Sequence, residues 1–135
     1  MADPLNLRTL VRPSSPNTAL FAPPNAELAA EVDQETPVFS VPAVELAAVA
    51  RDTFGSMKRV EVEDVSPDGM KLHFIAKTAL LRFKDDIHIE IVPVGDDGSS
   101  LIIYSASRVG HSDLGTNKKR VTEWLDVLQT RVKGS

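Results

Sequence analysis

Apolar and polar residues alternate in three consecutive segments in the second half of the chain. Residues 58–65 (KRVEVEDV), 70–77 (MKLHFIAK) and 85–93 (DDIHIEIVP) carry an apolar side chain at about every second position. A period of two is typical of β-strands with one buried face. A fourth apolar segment, residues 100–107 (SLIIYSAS), follows a short turn. The pattern therefore predicts four antiparallel strands that share one apolar face.

The turn between the last two segments (GDDGS) predicts how these strands pair. Residues 96–98 fit a three-residue hairpin loop whose glycine adopts the left-handed conformation. This loop would place Gly95 opposite Ser99 and, further along, Asp86 opposite Arg108. A slip of one residue would exchange the apolar and polar faces, so the alternation supports this register.

Two amphipathic helices are predicted on either side of the four strands. Pro42 suits a first helical turn and Gly55 suits a stop. The apolar side of this helix consists of Val44, Ala47, Val49, Ala50 and Phe54. The second helix is expected from about Thr116 to Val132, with Thr116 or Asn117 as its cap. Its apolar stripe consists of Val121, Trp124, Leu125, Leu128 and Val132.

A short strand is also predicted at residues 37–41 (PVFSV). The predicted order is therefore strand, helix, four antiparallel strands, helix, which belongs to the α+β class. Both helices should cover one face of a curved sheet, as in TBP-like or helix-grip-like folds.

Residues 1–36 differ from the rest of the chain. Five prolines interrupt regular structure there, yet several leucines make the segment too apolar for a free linker. We expect an extended proline-rich arm over residues 1–36, wrapped on a single α+β domain over residues 37–135. One helical turn is expected near residues 26–32.

The composition excludes several classes of protein. A chain of 135 residues with a net charge of −4 suits one globular domain and argues against broad nucleic-acid binding. The absence of cysteine excludes disulfides and thiolate chemistry. No apolar run reaches the roughly 18 residues that a membrane helix needs. A glycine-rich phosphate loop is also missing, and no cofactor is predicted.

Residues 80–125 contain a predicted strand with the pattern R-F-x-D-D and a following S-A-S-R-x-G-x-S-D-x-G-x-N-x-x-R segment. The residues at the fixed positions of these patterns are Arg82, Phe83, Asp85, Asp86, Ser105, Ser107, Arg108, Gly110, Ser112, Asp113, Gly115, Asn117 and Arg120. These patterns resemble those of a bacterial and plastid family, domain of unknown function 1499. Ser15–Asn17 also resembles a proline-asparagine element of the family, although Thr18 stands where many members have cysteine. The resemblance implies no established activity.

The polar residues of this segment form the candidate site. Three cations, Lys118, Lys119 and Arg120, open a helix whose dipole favours anions at that end. One interpretation is a network of ion pairs that pins the loop to the sheet. The other is a binding site for a phosphate or carboxylate. The candidate residues are Arg82, Asp85, Asp86, Ser105, Ser107, Arg108, Ser112, Asp113, Asn117 and Arg120.

Catalytic and metal sites are less well supported by the sequence. No G-x-S-x-G motif is present, and His73, His88 and His111 lack metal-ligand spacing, so no catalytic or metal-binding residues are predicted. We expect a non-enzymatic module that binds a lipid, a small amphiphile or anionic ligand, or an envelope protein. The alternative is a small hydrolase or isomerase that uses the polar cluster around Arg108.

The resemblance also carries an expectation about location. Members of the family often have a hydrophobic segment at the N-terminus. We therefore expect the periplasm or cell envelope, with a native N-terminal anchor removed from this chain, and the cytoplasm as the alternative. The segment before residue 20 itself lacks the basic-then-apolar layout of a signal peptide.

Overall fold

A six-stranded sheet with two helices forms the part of the chain that the structure describes. The structure is a computed structural model that describes residues 5–80, 82–110, 113 and 115–133. In chain order the elements are β1 (Thr18–Ala22), β2 (Gln34–Glu35), α1 (Ala43–Gly55), β3 (Val60–Val65), β4 (Lys71–Lys77), β5 (Lys84–Val94), β6 (Gly98–Ser107) and α2 (Thr116–Lys133). The strand order across the sheet is β2-β1-β6-β5-β4-β3.

The predicted α+β architecture is confirmed. Strands β3 to β6 pair antiparallel in sequence, and both helices bury their apolar residues against the inner face of the sheet. Phe54 of α1 stacks on Trp124 of α2 with ring centroids 4.5 Å apart. The ring of Phe74 on β4 lies nearly perpendicular to both, with centroids 5.9 and 5.8 Å away. Strand alternation and helical periodicity therefore converge on one core.

The predicted register between β5 and β6 is wrong by two residues. Asp86 lies opposite Ala106, and the hairpin pairs Val94 with Gly98. The left-handed glycine is Gly95, with φ 64°, and not Gly98. A Cβ atom at Gly98 would come within 2.8 Å of the Val94 carbonyl oxygen, so close approach of the backbone explains the second glycine.

The first strand was predicted at the wrong place. Residues 37–41 make a single bridge, between Phe39 and Ser99, whereas Thr18–Ala22 pairs antiparallel with β6. Residues 26–32 contain no helical turn. The segment TALFA does not alternate because it is buried on both faces, and such strands lack the period-two signal.

The proline-rich arm covers part of the outer face of the sheet. Leu7 and Leu10 from the arm pack on Leu20, Ile102 and Tyr104, which point away from the helices. The sheet therefore lies between the helices on its inner face and the arm on part of its outer face.

The buried side of β1 provides a test of this arrangement. Leu20 is fully buried, so Leu20→Ala should lower the free energy of unfolding by about 2 to 5 kcal/mol in urea denaturation. The control is Val11→Ala in the same arm, where the side chain is 86% exposed. That variant should stay within about 0.5 kcal/mol of wild type. Equal effects would mean that the arm does not fold onto the sheet.

Candidate functional site

The sheet separates the predicted polar residues into two groups. Adjacent residues of a strand point to opposite faces, so Asp85 faces the helices while Asp86 faces outward. We call the first group the inner network: Asn17, Asp85, Ser105, Ser107, Asp113, Asn117 and Arg120. We call the second group the outer cluster: His73, Asp86, His88 and Arg108.

Asn117 is the centre of the inner network. This residue is fully buried in the first turn of α2. Its Nδ2 donates to the backbone oxygen of Asn17 at 2.9 Å, to Ser107 Oγ at 2.8 Å and to Asp113 Oδ2 at 2.6 Å. One amide group thus connects the arm, the end of β6 and the loop before α2.

The oxygen of the Asn117 amide contacts the remaining residues of the inner network. Asn117 Oδ1 accepts hydrogen bonds from Ser105 Oγ at 2.6 Å and from Arg120 Nη1 at 3.0 Å. Arg120 Nη2 forms an ion pair with Asp85 Oδ2 at 2.7 Å, and the Asp85 side chain is only 4% exposed. Arg120 points toward the strand end, as predicted, and its charge is neutralised there.

Asp113 caps α2, although Thr116 or Asn117 was predicted to do so. Its carboxylate accepts hydrogen bonds from the backbone N–H groups of Gly115 at 2.8 Å and Asn117 at 2.9 Å. Burial is the largest influence and favours the neutral acid, but the hydrogen bonds from Asn117 and Gly115 outweigh it and lower the pKa of Asp113. Asp113 and Asp85 together supply the negative charge that the cations at the helix start require.

These contacts support the structural interpretation of the inner network. Both serine hydroxyls and the Arg120 guanidinium have partners within the protein. Asn17 Nδ2 donates to the Gly110 carbonyl at 2.9 Å, whereas its Oδ1 has no partner among the described residues. A phosphate or carboxylate would have to displace existing partners of the arginine.

In the outer cluster, Asp86 and Arg108 form the predicted contact, although they are diagonal neighbours and not directly opposite each other. Arg108 lies two positions beyond the residue paired with Asp86, and its Nε and Nη2 reach Oδ2 at 2.7 Å and Oδ1 at 2.8 Å. Such diagonal neighbours lie within reach of long side chains. His73 Nε2 lies 2.7 Å from Asp86 Oδ1. Partial burial favours the neutral acid, but hydrogen bonds from Arg108 and His73 outweigh it and lower the pKa of Asp86.

His88 completes the outer cluster. It lies directly opposite His73, and the two rings stack with centroids 4.1 Å apart. Burial, followed by the charge of His73, lowers the pKa of His88 to about 4. The imidazole is therefore neutral at neutral pH. Sequence spacing did not reveal this pair, because the two histidines meet only through the register of β4 and β5.

Arg82, one of the predicted residues, belongs to neither group. Arg82 is exposed in the connection between β4 and β5 with φ 57°, and it makes no ion pair with any residue that the structure describes. Ser112 lies outside the described residues. Among the described residues, Arg82 is therefore removed from the predicted candidate site.

A groove on the outer face was not predicted from the sequence. It has a volume of about 320 Å³ and lies between the arm and the β5–β6 hairpin. Apolar side chains dominate its lining, with Arg8 at one side. The other lining residues are Pro23, Pro24, Asn25, Ala26, Val38, Val92, Pro93, Val94 and Ile102. No sequence motif marks it, because the arm and the hairpin meet only after folding.

The fold and these sites describe an α+β domain with a buried polar network and an open outer face. Residues 11–128 match the family described as protein of unknown function, domain of unknown function 1499, and the chain belongs to that family. A search of curated proteins found no match. Among the residues that the structure describes, no helix is long and apolar enough to span a membrane.

The solved structures that are similar to this chain include a START superfamily protein from Mycobacterium smegmatis, 16% identical in sequence, with a TM-score of 0.46. The match covers 73% of this chain and 94% of that one.

The Arg120–Asp85 and Arg108–Asp86 ion pairs should contribute differently to the free energy of unfolding. Arg120→Ala leaves the buried Asp85 carboxylate without a partner and should lower the free energy of unfolding by about 3 to 5 kcal/mol. Arg108→Ala should cost about 1 kcal/mol or less, because that arginine side chain is 42% exposed. Urea denaturation of both variants measures the difference. Equal losses would contradict the separation into a buried network and an exposed cluster.

Proposed function

We propose that this domain is a non-enzymatic binding module that holds the apolar chain of a small anionic amphiphile. The outer-face groove is the observation that carries this proposal, because it combines an apolar lining with one cation. Ligand sites are typically concave and mostly apolar, with a few polar groups that orient the ligand.

Apolar side chains around the groove are exposed without an evident structural reason. Val38 is 55% exposed and Val94 is 36% exposed, while Ile102 is fully buried at the base. Exposed apolar surface next to a concave site is typical of a binding surface. The groove therefore favours an apolar ligand segment.

Arg8 supplies a hydrogen-bond donor for an anionic head group, because Glu90 contacts only its Nε and Nη2. Its Nε and Nη2 bind Glu90 Oε2 at 3.3 and 3.0 Å, and its Nη1 has no partner among the described residues. The side chain is 45% exposed and can reach a ligand without leaving a buried position. The pairing with Glu90 makes this a site for one carboxylate or phosphate and not for a highly charged polyanion.

The volume of the groove limits the size of the ligand. Ligand sites in proteins span about 300 to 1,000 Å³. A groove of about 320 Å³ lies at the small end of that range and suits a short apolar chain.

Catalysis is less well supported by the same contacts. The hydroxyls of Ser105 and Ser107 are hydrogen-bonded to Asn117, and neither lies next to a described histidine that could accept its proton.

A location in the cell envelope belongs to this proposal, and its support is the resemblance of the sequence to envelope-anchored relatives. Fractionation of the native organism would test that location.

A thermal melt with decanoate tests the groove. At a hundredfold excess over its dissociation constant, decanoate should stabilise the wild type by about 2.7 kcal/mol, which raises Tm. Val38→Asp should abolish the rise, because it places a carboxylate in the apolar groove. Decyltrimethylammonium should produce a smaller rise than decanoate, because its quaternary head group cannot accept a hydrogen bond from Arg8.

The matched control is Val44→Asp. Val44 is also an exposed valine, but it lies on α1, away from the groove. This variant should keep the full response to decanoate. An absent response in the wild type, or an equal response in Val38→Asp, would contradict the proposal.

A further inference from the structure

Three side chains of the outer cluster bring metal-ligating atoms close together. One ring nitrogen of His73, one ring nitrogen of His88 and one carboxylate oxygen of Asp86 all lie within 4.8 Å of one another. We propose that these residues bind a divalent transition-metal ion of the zinc type. This site is separate from the groove and does not depend on the function proposed for it.

The ligand set suits such an ion. Imidazole nitrogens and carboxylate oxygens bind zinc at about 2.0 to 2.2 Å, so tetrahedral ligands lie about 3.3 Å apart. His73 Nε2 and Asp86 Oδ1 are already 2.7 Å apart. Because the two imidazole rings stack with centroids 4.1 Å apart, both rings would have to rotate for their nitrogens to face one ion.

The sheet holds these side chains in place. His73 and His88 are directly paired on β4 and β5, and Asp86 is the next outward residue along β5. All three Cα positions are set by backbone hydrogen bonds of interior strands. A metal site on paired strands needs little backbone ordering when the ion binds.

His88 also has an unused ligand atom. Neither ring nitrogen forms a hydrogen bond with a residue that the structure describes, although the side chain is partly buried. A ring nitrogen without a protein partner is available to bind a metal ion. Three protein ligands leave a coordination position for water or for a small ligand.

Arg108 competes with the ion for Asp86. Its guanidinium holds both carboxylate oxygens, at 2.7 and 2.8 Å. The arginine side chain is 42% exposed, so it can move into solvent when a cation takes its place. Removal of Arg108 should therefore strengthen metal binding, whereas removal of a ligand should weaken it. These opposite changes in metal affinity distinguish a specific site from general attraction of cations to an acidic surface.

Isothermal titration with zinc chloride tests the site in protein that carries no affinity tag and has been stripped with a chelator. Wild type should bind one zinc ion per chain. His88→Gln should weaken the affinity at least about tenfold, equivalent to about 1.4 kcal/mol. Arg108→Ala should increase the affinity about threefold or more. Cobalt should produce a visible absorption band in the wild type that His88→Gln lacks.

His111→Gln is the control, because His111 is not one of the three proposed ligands. Its zinc affinity should equal that of the wild type. Circular dichroism should establish that each variant is folded. The proposal is overturned if the wild type shows no saturable binding, if His88→Gln or Arg108→Ala binds as the wild type does, or if His111→Gln alone loses the ion.

Discussion

The buried side-chain amide of Asn117 is the interaction on which the arrangement of this domain depends. It joins α2 to the backbone of Asn17, a hundred residues earlier, and to Ser105 and Ser107 near the end of β6. The Ser107 backbone N–H also donates to the Asn17 carbonyl. A buried amide that loses its partners costs about 1 to 3 kcal/mol per unsatisfied group. The arm, the sheet and the last helix are therefore held by one buried polar centre.

The alternation of β5 determines what remains available for binding. Asp85 faces inward and is occupied by Arg120, so the inner network is closed. The outward residues follow at intervals of about 6.8 Å along the strand. They change from polar at Asp86 and His88 to apolar at Val92. One strand thus presents the proposed metal site and the wall of the proposed groove on the same open face, at separate positions.

The sequence predicted the parts of this structure that depend on local periodicity. Local periodicity predicts four of the strands and both helices. It also predicts that Asp85 and Asp86 point to opposite faces of the sheet. It does not predict the hairpin register, because a slip of two residues leaves every side chain on its own face. Strand β1 was missed because burial on both faces removes alternation. The pairing of His73 with His88 requires the register of two strands, which spacing along the chain does not contain.

Native-state hydrogen exchange on Asn117→Ala measures the central coupling most directly, with the adjacent Lys118→Ala as control. If the amide joins the three segments, the amides of β1, the end of β6 and the first turn of α2 should lose protection together. Lys118→Ala should leave all three unchanged, because that side chain is exposed. Loss of protection confined to α2, with β1 exchanging as in wild type, would contradict the account.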